Sequence, residues 1–201
     1  MSVRVLVDFG SPASYLAIAP ACELEIRLGQ AFEWLPYKGA PLPLARPDEP
    51  DTDRGTRHRR VRGQYLLADL RRYAEARGLD LGDIRRAIET EPAMLALSWL
   101  NRRAPDLARG FVVRAFDRIW REHAHADGNF VVSLLGAHAK GFEEYCRTEA
   151  PQDLQRVRTD AEAIGAWTSP VFVVGDEPFI GRQHLPIVEW LVTGQQGPPP
   201  I

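Results

Sequence analysis

The 201-residue sequence has only two cysteines, Cys22 and Cys146, far apart and in neither a C-x-x-C nor a zinc-like spacing. That argues against a disulfide framework, a structural zinc site and dithiol exchange. It has no apolar run of membrane-spanning length, so no membrane partner is expected. Neither an internal repeat nor a glycine-rich phosphate loop between a strand and a helix appears, which leaves nucleotide binding without support. Charge of one sign is also missing: the net charge is −2, so nucleic acid is not an expected partner. His123 and His125, two residues apart, face different sides of a helix and do not chelate one metal together, and no metal site is expected.

What is present is an ordinary globular composition, 45% apolar and 26% charged, over a length that buries a large core without staples. The start runs directly into a strand without the basic, apolar and cleavage regions of a signal peptide, and the expected compartment is the reducing cytoplasm. Cys22 reads as a small core residue and Cys146 as incidental.

The most informative stretch is Asp8-Phe9-Gly10-Ser11-Pro12-Ala13-Ser14-Tyr15-Leu16-Ala17. Before it, Val3, Val5 and Val7 alternate with Arg4 and Leu6 as in a strand; after Pro12 the apolar spacing becomes helical. Ser11 stands at an N-cap and Pro12 at the first helical position, where its missing N–H costs nothing. Such a turn leaves unpaired N–H groups and partial positive charge, which favour an anion such as a thiolate.

The helix is expected to reach Gly29, with Pro20 as a kink or break, and Ala31–Tyr37 to form a second strand parallel to the first. A loop follows over Ala45–Gly55. Helices are expected over Arg57–Gly78, Leu81–Ala87, Met94–Arg102, Ala108–Ala124, Phe130–His138, Gly141–Arg147 and Gln152–Ala163, the last with Pro151 at its start. Val171–Val174 and Pro178–Ile180 then read as a hairpin around Gly175-Asp176, and Gln183–Thr193 as a closing helix. The order is an α/β, thioredoxin-like pattern split by a large all-helical insertion. Residues 1–40 and 152–194 would form a discontinuous thioredoxin-like domain, 41–151 the insertion and 195–201 a frayed tail.

The Asp8–Ala17 stretch resembles the opening D-F-x-S-P-x-S-Y-L-A of 2-hydroxychromene-2-carboxylate isomerases, relatives of kappa-class glutathione transferases in the DsbA-like branch of the thioredoxin superfamily. Redox enzymes of that branch carry C-x-x-C at this turn, where this sequence has Ser11-Pro12-Ala13-Ser14. Disulfide exchange is therefore closed to the turn itself. The resemblance implies that Ser11 and the helix N-terminus stabilise a glutathione thiolate, which adds reversibly to a conjugated α-keto acid and permits rotation about a former double bond. The cofactor is then glutathione, the other partner a small-molecule substrate, and the assembly a homodimer.

Thr168-Ser169-Pro170-Val171-Phe172 resembles the family's G-V-P-T-F segment, which implies a cis Pro170 and a Ser169 backbone open to an extended ligand. Gly181-Arg182-Gln183-His184-Leu185 resembles G-x-D-R-L, with Gln183 where the family has Asp and His184 where it has Arg. An amide at Gln183 loses the charge-assisted part of contact with the glutamyl ammonium, about 1–3 kcal/mol, while Arg182 adds positive charge beside it. By the same resemblance Arg57 is a candidate for a substrate carboxylate and Trp99 for the pocket lining, beside Asn101-Arg102-Arg103. Lys38 stands where the second strand approaches the Ser11 turn. A kappa-like transferase and a non-catalytic thioredoxin-fold binding module are the alternatives to the isomerase.

Overall fold

The structure, a computed structural model, describes residues 1–42 and 53–200. Four strands, β1 (Val3–Val7), β2 (Glu33–Pro36), β3 (Val171–Val174) and β4 (Glu177–Ile180), form one sheet in the order β2-β1-β3-β4. β1 and β2 are parallel, and the other pairs are antiparallel. In register, Val7 lies beside Pro36 and Leu6 beside Val171. The exit of β1 therefore meets the entry of β3, which brings the Ser11 turn to Ser169 and Pro170.

Side-chain alternation on β1 feeds two cores. Val3, Val5 and Val7 join Trp34, Phe172 and most of the helices in the larger one; Leu6 joins Tyr37, Val171, Val173 and Ala161 in the smaller. Ala161 belongs to α7 (Ala150–Ala163), which has proline in its first turn. Burying both faces explains why β3 reads Val-Phe-Val-Val without polar alternation.

Helix α1 (Pro12–Leu28) runs through Pro20 unbroken and ends at Gly29, whose φ of 60° is the left-handed conformation that glycine adopts without strain. Helix α2 starts earlier than the spacing predicts, at Arg54 (Arg54–Ala76), because the Asp53 carboxylate caps the Thr56 N–H at 2.9 Å. The rest of the expected loop before it lies outside the described residues. Helix α3 (Glu91–Arg103) packs on β2 and on α4 (Ala108–Phe116). The last turn beyond α4, Asp117–Arg121, widens into π geometry, and Ile119 and Trp120 remain fully buried.

Helices α5 (Gly128–Leu135), α6 (Phe142–Thr148) and α8 (Leu185–Val192) complete the set. Three further expectations differ. Residues 81–87 form no helix and only a turn at 84–86, since the Asp80 and Asp83 side chains bond the N–H groups of Gly82 and Arg85 and draw the backbone into local turns. The helix expected to His138 finishes as α-helix at Leu135, where Gly136 turns to φ 54° and a 3₁₀ turn follows. The closing helix is preceded by a 3₁₀ turn, Arg182–His184. Part of the C-terminal tail is tied back, the Trp190 indole N–H donating to Gly197 O at 3.1 Å. No helix among the described residues is long and apolar enough to cross a membrane.

Candidate active site

The turn after β1 is built by its own side chains. The Asp8 carboxylate accepts from the Gly10 N–H at 2.9 Å, the Ser11 N–H donates to Asp8 O at 3.0 Å, and the Asp8 N–H donates to Ser14 Oγ at 3.3 Å. Ser11 caps α1, its Oγ accepting from the Ser14 N–H at 3.2 Å while its carbonyl accepts from Tyr15 at 3.1 Å. Pro12 has no N–H to offer. In this first turn that leaves the Ala13 N–H without a partner among the described residues, at the positive end of a 17-residue helix.

The hydrogen of the Ser11 hydroxyl points to Ser169 O over 3.5 Å, at the limit of a hydrogen bond and cheap to give up. With one lone pair already occupied by Ser14, Ser11 is arranged to donate to an arriving anion beside the Ala13 N–H. The Ser169–Pro170 bond is cis, and Pro170 O accepts from the Gly181 N–H at 2.9 Å.

The helical block holds this turn from the other side. Trp120 Nε1 donates to Phe9 O at 2.9 Å, and Phe9 packs against Phe111 and Phe116. The Tyr15 hydroxyl donates to Asp117 at 3.1 Å, and burial together with the Asp117 charge pushes its pKa up to about 12. Tyr15 is thus a neutral brace. Asp8 is buried enough for its carboxyl pKa to rise, against the opposing pull of the Gly10 N–H and the Lys38 charge.

The expectation of an open Ser169 backbone differs from the structure: Ser169 is only 4% exposed. Gly39 lies so close to this segment that a Cβ there would sit 2.6 Å from Thr168 Cα. Ala40 N–H donates to Trp167 O at 2.7 Å and Thr168 Oγ1 donates to Ala40 O at 2.9 Å, closing residues 39–40 over 167–168.

The other sequence candidates are dispersed. Arg182 lies one residue beyond Gly181, but its guanidinium pairs with Asp69 at 3.1 Å and covers the Tyr73 ring at 3.4 Å, both on α2, while its buried Nε has no hydrogen-bond partner among the described residues. The Gln183 amide folds back over Gly181 and donates to Ile180 O at 2.9 Å. Arg57 is exposed in the first turn of α2. Trp99 is 4% exposed, gives its indole N–H to His138 O, and packs against Phe142 and Tyr145. Asn101 bonds Trp34 O, Arg102 pairs with Asp153 and Glu149, and Arg103 covers Trp99, so this trio is occupied at the far end of α3.

It is the start of α3 that reaches the site. A Cβ on Gly10 would lie 3.2 Å from Thr90 Cγ2, and Thr90, the N-cap of α3, forms no side-chain cap bond. Thr90-Glu91-Pro92 carries the cap-then-proline signature, which marks a helix start three residues ahead of Met94. Cys22 and Cys146 are both partly buried free thiols; burial, then Glu25, pushes Cys22 up to about 11. The turn therefore contains hydroxyls and no sulfur.

Residues 2–191 match the family model of the DSBA-like thioredoxin domain. The sequence is 29% identical over 194 residues to a 2-hydroxychromene-2-carboxylate isomerase of Sphingobium xenophagum, covering 90% of this chain and 93% of that protein. Among solved structures, a 2-hydroxychromene-2-carboxylate isomerase superposes with a TM-score of 0.70 at 22% identity, covering 96% of this chain and 95% of the other. The cytosolic disulfide reductase DsbM of Pseudomonas aeruginosa with GSH superposes with a TM-score of 0.62 at 16% identity, with 92% of each chain covered.

Proposed function

The chain belongs to the DSBA-like thioredoxin domain family, and on that premise we propose that it is an isomerase of the 2-hydroxychromene-2-carboxylate type, acting on a conjugated α-keto acid through a thiolate held by Ser11. The observation that carries this reading is the Ser11 hydroxyl. Its acceptor side is used by Ser14, and its hydrogen rests on a long, replaceable contact beside an Ala13 N–H that has no partner among the described residues. That is a site for an anion the chain does not itself supply.

The residues present fit the thiol end of glutathione. Ser11 Oγ and the Ala13 N–H would hold the sulfur, and Gly10, without a side chain, leaves it room beside Thr90. When bound, the thiol supplies the nucleophile whose reversible addition frees rotation about the substrate's double bond. Ser11 and the α1 terminus keep that sulfur ionised. Tyr15, Trp120 and Phe9 fix the turn so that the two donors stay aimed.

Gln183 offers its amide to its own backbone in place of a carboxylate, so glutathione is held weakly at its glutamyl end. Calorimetric titration with glutathione tests this. The wild type is expected to bind, and Gln183→Asp to bind about tenfold more tightly. An absence of binding in both proteins would refute glutathione as the thiol.

A further inference from the structure

At the end of α1 opposite Ser11, 17 residues and about 25 Å along the helix, is a cavity of about 480 Å³, within the range of small-molecule sites. It lies where Gly29 leads into β2, and Pro105, Asp106 and the first residues of α4 close its other side. Two polar atoms of its lining are unsatisfied. Glu25 is 4% exposed; one carboxylate oxygen, Oε1, accepts from the Phe32 N–H at 2.7 Å, while Oε2 has no hydrogen-bond partner among the described residues and only the Arg109 guanidinium nearby, at 3.9 Å. Trp34 Nε1 is buried in the same way without an acceptor.

Burial raises the Glu25 pKa against the pull of the Phe32 N–H, the Arg109 charge and the nearby Trp34 indole, so the carboxylate and the indole N–H lie close together without completing a hydrogen bond to each other. Each carries a desolvation cost that a ligand's donor and acceptor would remove. The charge around them is negative. Glu33 and Asp106, both exposed, bring the lining to three carboxylates against one guanidinium, that of Arg109. Asn101 is already committed, its amide donating to Trp34 O at 2.8 Å. The cavity thus favours a cation and repels an anion, and the buried Phe32 and Trp34 rings in its lining suit an aromatic body.

We propose that this cavity is a second ligand site, for a small aromatic amino alcohol: the ammonium donates to Glu25 Oε2, the hydroxyl oxygen accepts from Trp34 Nε1, and the ring packs against Phe32 and Pro105. An ammonium beside a hydroxyl is the smallest group that satisfies both buried atoms and answers the negative lining. The site shares no lining residue with the Ser11 turn, so it stands apart from the isomerase reading.

The test is calorimetric titration of the full chain with three probes: phenylethanolamine; phenethylamine, which lacks the hydroxyl; and phenylethylene glycol, which has a hydroxyl in place of the ammonium. The wild type is expected to bind phenylethanolamine about tenfold more tightly than the glycol and about threefold more tightly than phenethylamine. Glu25→Gln is expected to erase the first preference and Trp34→Phe the second. Asp106→Asn, at an exposed position that does not threaten the fold, is expected to weaken both amines about twofold and leave the glycol unchanged. No binding of phenylethanolamine by wild type, equal binding of the glycol, a preference over the glycol that survives Glu25→Gln, one over phenethylamine that survives Trp34→Phe, or amine affinities unmoved by Asp106→Asn overturns the proposal.

Discussion

Replacing Ser11 separates two jobs that one hydroxyl does. As the N-cap it accepts from the Ser14 N–H at 3.2 Å; as a donor it has only the 3.5 Å contact to Ser169 O to lose. Ser11→Ala removes both functions, and cap loss alone costs about 1 kcal/mol, which lowers Tm by roughly 2–4 °C in a chain of this size. Ser11→Gly removes the hydroxyl but costs the cap only a few tenths of a kcal/mol. Both variants lose a charge-assisted hydrogen bond to the bound thiolate, about 1.5–3 kcal/mol, which raises the thiol pKa by roughly 1–2 units. The Ala13 N–H and the helix terminus remain. Turnover at pH 7 is therefore expected to fall in both, by up to about 10- to 100-fold, with the rising limb of kcat/KM displaced upward by the same one to two units and activity recovering in alkali. The assay is the pH profile of thiol-dependent turnover alongside thermal melts. Wild-type rates with an unmoved limb in Ser11→Gly would refute the donor role, and so would a uniform loss at every pH.

Two further predictions concern groups outside the turn. Asp153 is 5% exposed and receives Arg102, Arg156 and the Tyr145 hydroxyl, tying α3, α6 and α7 together. With its arginine partners largely solvated, Asp153→Asn is expected to cost about 2–3 kcal/mol, a fall of roughly 4–12 °C in Tm; an unchanged Tm would contradict the strut. Glu25, buried beneath β2 and bonded by the Phe32 N–H at 2.7 Å, has its pKa raised by burial. The folded state keeps that proton to higher pH than the unfolded chain, so this residue's contribution falls as pH rises from its ordinary 4.5 through the folded value. In denaturant titrations across that window, the stability difference between wild type and Glu25→Gln should decline with rising pH, and a flat difference would refute it.

The sheet and the turn were legible because their signals are local. Alternating valines specify β1, Ser11-Pro12 specifies the start of α1, and Ser169-Pro170 precedes β3 where the family motif puts a cis proline, as the structure has it. Side-chain partners across the fold were not legible. Arg182 reads as a free charge until α2 brings Asp69 and Tyr73 beneath it, a contact between residues over 100 positions apart. The closure of Gly39 on Thr168, next to the buried Ser169, depends on backbone approach that no residue type announces. Thr90 was obscured differently: its cap-and-proline signal was present, but only the packing of α3 against the sheet aims it at Gly10.

The most direct test of the central claim is the turnover of 2-hydroxychromene-2-carboxylate by purified protein, followed by absorbance with glutathione present and then fully removed. Isomerisation that requires the thiol and saturates with its concentration is the expected result, because the turn holds two hydroxyls and an open N–H but no sulfur of its own. Equal rates with and without the thiol, or no isomerisation under either condition, would contradict the assignment.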